Sequence, residues 1–272
     1  MSEARLPETG EIEIETPAEA AALVEEIATS DAARMLIVLD IDGTVLLEDE
    51  SPSPGIVEAV ADARRAGHEV MLATGRSWEA TRGIQELLQI APDYAVCSNG
   101  AVIMARVGGA DPASLVYERT HVETFDAAEV LNLLREHLPD AHYLVELPDG
   151  RREYTDYMDD WNIDRASKVA FEELARQPVT RVVVVSPEHD ESDFVELVDR
   201  VGLNQVSYAV GWTAWLDIAP QGVDKGTALA LVRDWLDVAP ENVLVMGDGR
   251  NDVGMFAWAK QHGGRAVAMG QG

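Results

Sequence analysis

Short apolar runs alternate with amphipathic segments over the first hundred residues of the chain. Residues 35–39, 69–73 and 94–97 are mainly apolar, and runs of this length are typical of strands that are buried on both faces. Between them, residues 53–67 and 78–89 repeat apolar positions with the 3.6-residue period of a helix. This β-α-β-α-β order predicts the first half of a doubly wound parallel sheet.

The same pattern returns towards the end of the chain. Residues 225–236 and 251–259 have the helical period, and each helix is followed by an apolar run, at residues 242–246 and 265–268. These two helix-strand units are expected to complete the sheet that the first hundred residues begin.

The central part of the chain mixes strands and helices without strict alternation, which is typical of an α+β domain. The predicted strands are residues 101–105, 115–119, 142–146, 181–186, 205–210 and 213–218, and the predicted helices are residues 127–138, 167–176 and 190–201. We therefore expect this part to fold as a small domain of its own.

The first residues are acidic and precede the alternating pattern. Residues 1–16 are polar and are expected to be mobile. The run T-P-A-E at 16–19 matches a capping box with proline at the first helical position, which predicts a helix to about residue 30. We interpret residues 1–30 as an acidic extension that ends in a helix.

Together these patterns predict an α/β protein. Its core is expected to be a doubly wound, Rossmann-like parallel sheet formed by residues 31–100 and 221–272. Residues 101–220 are expected to form an α+β domain that is inserted into the core after its third strand.

The charge of the chain excludes two classes of partner. Its 272 residues include 21 Lys and Arg and 49 Asp and Glu, which gives a net charge of −28 and a pI near 4.4. Because this charge repels nucleic-acid phosphates and anionic membrane surfaces, we expect neither nucleic acid nor a membrane as a partner. A small anion can still bind in a local positive pocket.

Cysteine content and the N-terminal sequence bear on location. Cys97 is the single cysteine, which excludes an internal disulfide and fits a reducing compartment. The N-terminus lacks the apolar stretch of a signal peptide, and no apolar run approaches the ~18 residues that cross a bilayer. We therefore expect a cytoplasmic protein, and the sequence leaves both a monomer and a homodimer open.

Two carboxylates directly follow the first predicted strand. Asp40 and Asp42 lie two positions apart, and Gly43 indicates a tight turn beside them. Because open parallel sheets bind ligands at the carboxyl ends of their strands, both side chains are expected to point into one pocket. One of them can attack a substrate while the other exchanges protons, or both can hold a hard cation through oxygen.

Polar residues follow two further predicted strands at the same edge. Thr74 and Gly75 come after the second strand, and Asp248, Asn251 and Asp252 come after a late strand. The crevice at this edge is therefore expected to collect four aspartates, a hydroxyl and an amide.

So much like charge requires a cation among the carboxylates. Ligands that are all oxygen favour Mg²⁺ over zinc, so the expected cofactor is Mg²⁺. Lys225, at the start of a predicted helix, can balance the charge of a phosphate in the same place.

Four motifs together resemble one family. They are D-I-D-G-T at 40–44, A-T-G-R at 73–76, G-V-D-K-G-T-A-L at 222–229 and G-D-G-R-N-D at 247–252. In this order and spacing they resemble the haloacid dehalogenase superfamily of phosphotransferases. The position of the insertion, after S-N-G-A at 98–101, resembles the Cof-type branch, whose members carry a large α/β cap.

The resemblance implies a catalytic role for two residues. Asp40 would be the nucleophile that forms an aspartyl-phosphate. Asp42 would protonate the leaving alkoxide and then activate water as a base. The implied activity is Mg²⁺-dependent hydrolysis of a small phosphomonoester, with a sugar or polyol phosphate as the expected substrate.

The resemblance also implies two groups of binding residues. The residues that would bind the phosphoryl group are Thr74, Gly75, Lys225 and Asn251. The residues that would bind Mg²⁺ are Asp40, Asp42 through its backbone carbonyl, Asp248 and Asp252, the last directly or through water.

Several alternatives stay open at this point. A phosphosugar mutase, a dedicated sugar-phosphate phosphatase of the same branch and a non-catalytic phosphometabolite sensor share these motifs. Thr74 can instead cap the following helix. For Arg76 and Asn99, a substrate contact and a structural role are equally compatible with the sequence. The structural role would be at a helix start for Arg76 and at a turn for Asn99.

Overall fold

The computed structural model describes residues 11–14, 34–109, 114–158, 163–187, 203, 206–210 and 215–270. Three β-sheets with different strand orders organise these residues. Helices and strands are numbered below in chain order.

A parallel sheet forms the core. In spatial order, its strands are β1 (Glu11–Ile14), β14 (Arg265–Met269), β13 (Val243–Gly247), β2 (Leu36–Leu39) and β3 (Glu69–Leu72). Every neighbouring pair in this sheet is parallel. β4 (Tyr94–Cys97) continues the sheet beyond β3 through a parallel bridge between Ala73 and Val96.

Helices cover both faces of this sheet. They are α1 (Ile56–Arg65), α2 (Trp78–Leu87), α4 (Lys225–Trp235) and α5 (Val253–Gln261). Ile37 and Leu39 of β2 pack in the apolar cluster that contains α1. Leu36 and Val38 point to the opposite face and pack against α4 and α5. The predicted doubly wound α/β core is confirmed. Among the helices of the described ranges, none is long and apolar enough to cross a membrane.

A hairpin extends the core sheet at β4. β5 (Val102–Gly108) pairs antiparallel with β4, and β6 (Val116–Val122) pairs antiparallel with β5. These strands fall inside the range 101–220 that the sequence predicts as the cap, but they pair with the core rather than with the cap sheet. The division of the chain into domains stays a prediction.

A separate sheet forms the cap. In spatial order, its strands are β11 (Val206–Val210), β12 (Trp215–Pro220), β10 (Arg181–Val185), β7 (His142–Glu146), β8 (Arg152–Tyr154) and β9 (Ser167–Lys168). α3 (Ala128–His137) covers one face, where Leu131 and Leu134 pack with Val145 and Val182. A mixed α+β cap is therefore present beside the parallel core.

The predicted helix at 167–176 is wrong. Ser167 and Lys168 form β9, which pairs parallel with β8, and Phe171–Glu173 form one 3₁₀ turn. The Glu173 side chain accepts a hydrogen bond from Ala170 N at 3.1 Å and closes this turn. Strand pairing within the cap thus overrides the local helical pattern.

Within residues 1–16, which the sequence predicts to be mobile, the structure describes one strand. Glu11–Ile14 form β1, which pairs parallel with β14 at the edge of the core sheet. The predicted helix from residue 17 to residue 30 and the predicted helix 190–201 lie outside the described residues.

The interior position of Cys97 gives the first prediction. Its side chain is fully buried at the end of β4, and burial raises the pKa of the thiol to about 12. Because thiolate is the reactive form, we expect no reaction with Ellman's reagent at pH 8 in the folded protein. One thiol per chain should react after unfolding in urea. Reaction of the folded protein at the rate of a free thiol would contradict the burial of this strand end.

Candidate active site

The carboxyl ends of four core strands meet at one edge of the sheet. Asp40 follows β2, Thr74 comes two residues after β3, Ser98 follows β4 and Asp248 follows β13. Asp40 N donates a hydrogen bond to Met246 O at 2.9 Å, which joins the end of β2 to β13. The parallel order therefore brings polar residues from distant parts of the sequence to one crevice.

Lys225 lies at the centre of this crevice. Its side chain is 0% exposed, and Nζ donates to Asp40 Oδ1 at 2.7 Å and to Asp252 Oδ1 at 2.6 Å. The lysine is the first residue of α4, which Asp224 caps by accepting a hydrogen bond from Thr227 N at 2.8 Å. The N-terminus of this helix thus fixes the position from which the Lys225 side chain extends into the crevice.

Asp252 closes the loop that follows β13. Its Oδ2 accepts hydrogen bonds from Asp248 N at 3.0 Å and Gly249 N at 2.9 Å. A Cβ at Gly247 would lie 2.4 Å from Asp252 Cγ, so the loop closes around this carboxylate only with glycine there. Asp252 therefore shapes the loop and also pairs with Lys225.

The electrostatics of the crevice follow from burial and close charges. Burial lowers the pKa of Lys225, but the charges of Asp252 and Asp40 raise it by more, so its pKa lies above the ordinary value. Burial and the charge of Asp252 raise the pKa of Asp40 despite the opposing effect of Lys225. The same two causes raise the pKa of Asp248 to about 6.

The donor set fits a magnesium ion. Asp40, Asp248 and Asp252 each offer one carboxylate oxygen, and these oxygens all lie within 4.8 Å of one another. Asp248 Oδ2 is buried and has no hydrogen-bond partner among the described residues, so it is available to a ligand. Carboxylate oxygens are the ligands that Mg²⁺ prefers.

Asp42 faces a different partner. Arg76 Nε donates to Asp42 Oδ1 at 3.2 Å and to Oδ2 at 3.0 Å, and Arg76 Nη2 also contacts Oδ1. The Arg76 side chain is 3% exposed, whereas that of Asp42 is 45% exposed. The Asp42 side chain is thus outside the three-carboxylate cluster, and metal binding by its backbone carbonyl stays a prediction.

Charge balance in the crevice also favours a divalent cation. Lys225 pairs with Asp40 and Asp252 of the cluster, and Arg76 pairs with Asp42 beside it, so two positive charges face four aspartates. A divalent ion would balance the other two. Such an ion favours the ionised form of every carboxylate around it.

A second wall of the crevice is formed by loops after β3 and β4. Thr74 Oγ1 accepts a hydrogen bond from Arg76 N at 3.1 Å, and Ser77 is the N-cap residue of α2, so Thr74 does not cap this helix. Asn251 Nδ2 donates to Asn99 Oδ1 at 3.0 Å. The residues predicted to bind phosphate therefore surround the crevice, and their roles stay predictions.

Gly75 lies in the loop after β3, close to Asn99 of the loop after β4. A Cβ at this position would lie 3.1 Å from Asn99 Oδ1, so the absence of a side chain lets the Asn99 amide approach the loop. Asn99 thus connects the loop after β3 with Asn251 of the loop after β13.

Three residues of this region are not assigned to the site by the sequence motifs. The sequence leaves Arg76 and Asn99 open between a site role and a structural role, and their contacts with Asp42 and Asn251 place them in the crevice. Glu146 belongs to none of the sequence motifs, although it is fully buried and accepts a hydrogen bond from Ser98. A glutamate at a strand end normally indicates a solvent-facing position, so the local sequence carries no signal for it.

Comparisons with known proteins agree on one family. The sequence model of the haloacid dehalogenase-like hydrolases matches residues 37–272. Pyridoxal phosphate phosphatase YbhA of Escherichia coli (strain K12) is 27% identical over 254 residues, which cover 86% of this chain and 87% of that protein. The 5-amino-6-(5-phospho-D-ribitylamino)uracil phosphatase YitU of Bacillus subtilis (strain 168) is 24% identical over 250 residues, which cover 87% of each chain.

A solved structure shares the fold. The sugar phosphatase BT4131, of subclass IIB of the haloacid dehalogenase superfamily, has a TM-score of 0.67 to this chain at 18% identity. The match covers 87% of this chain and 88% of that chain. At this level of identity the similarity extends to the fold, which is a parallel core with a separate cap.

The buried lysine gives the second prediction. Lys225→Met leaves two buried carboxylates without their cation, so we expect the free energy of unfolding to fall by about 3–5 kcal/mol. Urea denaturation followed by circular dichroism measures this loss. Lys168→Met is the matched control, because its ion pair with Asp156 is exposed and contributes less than about 1 kcal/mol. Equal effects of the two substitutions would contradict the central position of Lys225.

Proposed function

The chain belongs to the haloacid dehalogenase-like hydrolase family and is a phosphatase of its Cof-type branch, and we propose that it hydrolyses a small phosphomonoester with Mg²⁺. The four sequence motifs predicted this family. We further propose that Asp40 is the nucleophile and that Asp42 is the general acid and base.

One observation carries this proposal. The carboxylate of Asp40 is buried at a strand end and is held by Lys225 Nζ at 2.7 Å. An anionic nucleophile attacks an anionic phosphate only when positive groups offset the repulsion between them. Lys225 supplies such a group at hydrogen-bond distance from the proposed nucleophile, so it can contact the nucleophile and the phosphoryl oxygens together.

In the first step, an Asp40 oxygen attacks phosphorus and forms a new O–P bond. The ester P–O bond breaks, its electron pair stays on the leaving oxygen, and Asp42 donates a proton to that oxygen. In the second step, Asp42 takes a proton from water, and the water oxygen attacks phosphorus. The bond between phosphorus and Asp40 breaks, which releases inorganic phosphate and restores the Asp40 carboxylate and the protonated carboxyl group of Asp42.

The neighbours of Asp42 support this role. Arg76 holds the carboxylate through both oxygens, which fixes its direction. The Asp42 side chain is still 45% exposed, so a leaving group or a water molecule can reach it. A carboxylate that is oriented and accessible meets the geometric requirement of a general acid and base.

Asp40, Asp248 and Asp252 are the residues that would hold Mg²⁺. The bound ion would supply charge neutralisation for the phosphoryl oxygens. The unpartnered Oδ2 of Asp248 and the closely spaced carboxylates support this assignment.

We propose a sugar or polyol phosphate as the substrate. The relative YitU is named for a substrate with a phosphoribityl group, which is a polyol phosphate, and the structural neighbour BT4131 is named a sugar phosphatase. The cap lies beside the crevice and would contact the leaving group, so its residues would select among such substrates.

The third prediction tests the reaction itself. In a panel of about a hundred phosphomonoesters, the wild-type protein should release phosphate with Mg²⁺ and lose this activity with EDTA. Asp40→Asn removes the nucleophile and should lower the rate by a factor on the order of 10³ or more. Phosphate release at low and high salt is measured colorimetrically.

Asp156→Asn is the control for a general effect of removing an acid, because Asp156 is exposed and pairs with exposed Lys168. Its activity should equal that of the wild-type protein. If the folded wild-type protein releases phosphate from no member of the panel, the phosphatase proposal is overturned. Full activity of Asp40→Asn would overturn the assignment of the nucleophile.

The fourth prediction tests the role of Asp42. A poor alkoxide leaving group needs protonation, whereas p-nitrophenolate leaves without it. We therefore expect Asp42→Asn to lower turnover of an alkyl phosphate by about 10²–10⁴-fold. The first step with p-nitrophenyl phosphate should be much less affected, which the burst of p-nitrophenol in rapid-mixing experiments measures. Equal losses for both leaving groups in this step would contradict the role of Asp42 as general acid.

A further inference from the structure

A buried carboxylate outside the three-carboxylate cluster joins the cap to the core. Glu146 is the last residue of β7 in the cap sheet and is 0% exposed. Its Oε2 accepts a hydrogen bond from Ser98 Oγ at 2.8 Å, and its Oε1 accepts one from Arg119 Nη2 at 3.1 Å. Ser98 follows β4 and Arg119 lies on β6, so both partners belong to the sheet that continues the core.

The turn that contains Ser98 has an unfavourable backbone. Ser98 has φ 51° and Asn99 has φ 52°, so two consecutive residues with side chains lie in the left-handed region. Such conformations persist where the surrounding contacts hold them. The contacts here are Ser98 N to Arg76 O at 2.9 Å, Asn99 N to Thr74 O at 3.0 Å and the Ser98 hydroxyl to Glu146.

This turn contacts the loops of the proposed phosphate site. Asn99 Oδ1 accepts a hydrogen bond from Asn251 Nδ2. A Cβ at Gly100 would lie 2.2 Å from Asp224 O, so the turn also packs directly against the residue before Lys225. A shift of the turn therefore displaces the loops that hold Thr74, Asn251 and Lys225.

We propose that Glu146 is a positioning residue of this phosphatase: through the Ser98 hydroxyl it holds the left-handed turn that sets Asn99 and its neighbours at the phosphate site. The inference rests on the proposed function, because it concerns the same site. It makes the position of the cap a determinant of phosphate affinity, although Glu146 does not touch the reacting atoms.

The peptide backbone offers a way to separate this role from simple docking of the cap. Ser98→Ala and Ser98→Gly both remove the hydroxyl. Alanine keeps the unfavourable left-handed conformation without the bond that stabilises it, whereas glycine adopts that conformation readily. If the bond holds the turn, glycine should restore much of what alanine loses.

The experiment measures the Kd of inorganic phosphate by calorimetry with Mg²⁺, and kcat and KM on p-nitrophenyl phosphate. Ser98→Ala should weaken phosphate binding about tenfold, the effect expected from losing one hydrogen bond to a charged group. Ser98→Gly should weaken it clearly less. Thermal unfolding of each variant establishes that it is folded.

Glu146→Gln tests the carboxylate itself. Adding Glu146→Gln to Ser98→Ala should weaken phosphate binding less than Glu146→Gln does in the wild-type protein, because both substitutions act on one contact. Thr180→Val is the matched control, since the Thr180 hydroxyl bonds to the backbone oxygen of Glu146 at 3.1 Å and leaves its carboxylate untouched. This variant should bind phosphate as the wild-type protein does.

The proposal is overturned if Ser98→Ala binds phosphate normally, if the alanine and glycine variants are equally weakened, or if the two substitutions are fully additive. It is also overturned if Thr180→Val weakens phosphate binding as much as Ser98→Ala does. Failure of the proposed function looks different: the wild-type protein then binds phosphate with the predicted variant pattern but hydrolyses no phosphomonoester.

Discussion

A lysine ammonium enclosed by two carboxylates is the interaction on which the rest of this structure depends. Lys225 is tolerated in the interior because Asp40 and Asp252 lie at hydrogen-bond distance. These three residues come from the end of one strand, the start of one helix and the loop after another strand. Only a sheet in which these strands run parallel, with α4 packed over it, brings the three segments to one edge. The contacts of Lys225 therefore depend directly on the topology of the core sheet.

The same constraint also explains why one position beside the cluster is a glycine. Gly43 has φ 72°, and a Cβ there would lie 2.0 Å from Asp248 Oδ2. Glycine therefore serves both the turn after Asp42 and the space for a carboxylate of the cluster. Beneath the loops, alternate residues of β2 pack into apolar clusters on both faces of the sheet. Close packing on both faces keeps the strand ends from moving apart under the repulsion of their carboxylates.

The convergence of Asp40, Asp248, Asp252 and Lys225 was predictable because it combines local motifs with a general rule for parallel strands. The roles of these residues stay predictions. Elements that depend on a distant partner were not predictable: the run at 11–14 pairs with β14 at the other end of the chain. The helical pattern at 167–176 gave way to pairing with β8, and the burial of Glu146 appears only when the cap meets the core. In each case the deciding contact lies outside the segment that the pattern describes.

The net charge of the chain and the buried cations of the crevice act over different distances. A net charge of −28 repels large polyanions at a distance. Lys225 and Arg76 are buried, so their positive charge acts at short range inside the crevice and is little weakened by solvent. A small phosphate would meet only the crevice, where Lys225 and a bound divalent ion would offset the aspartates, whereas a nucleic acid would have to bring many phosphates against the acidic surface. This arrangement favours a small phosphorylated metabolite over a polymer, independently of any contact that the cap would make with the leaving group.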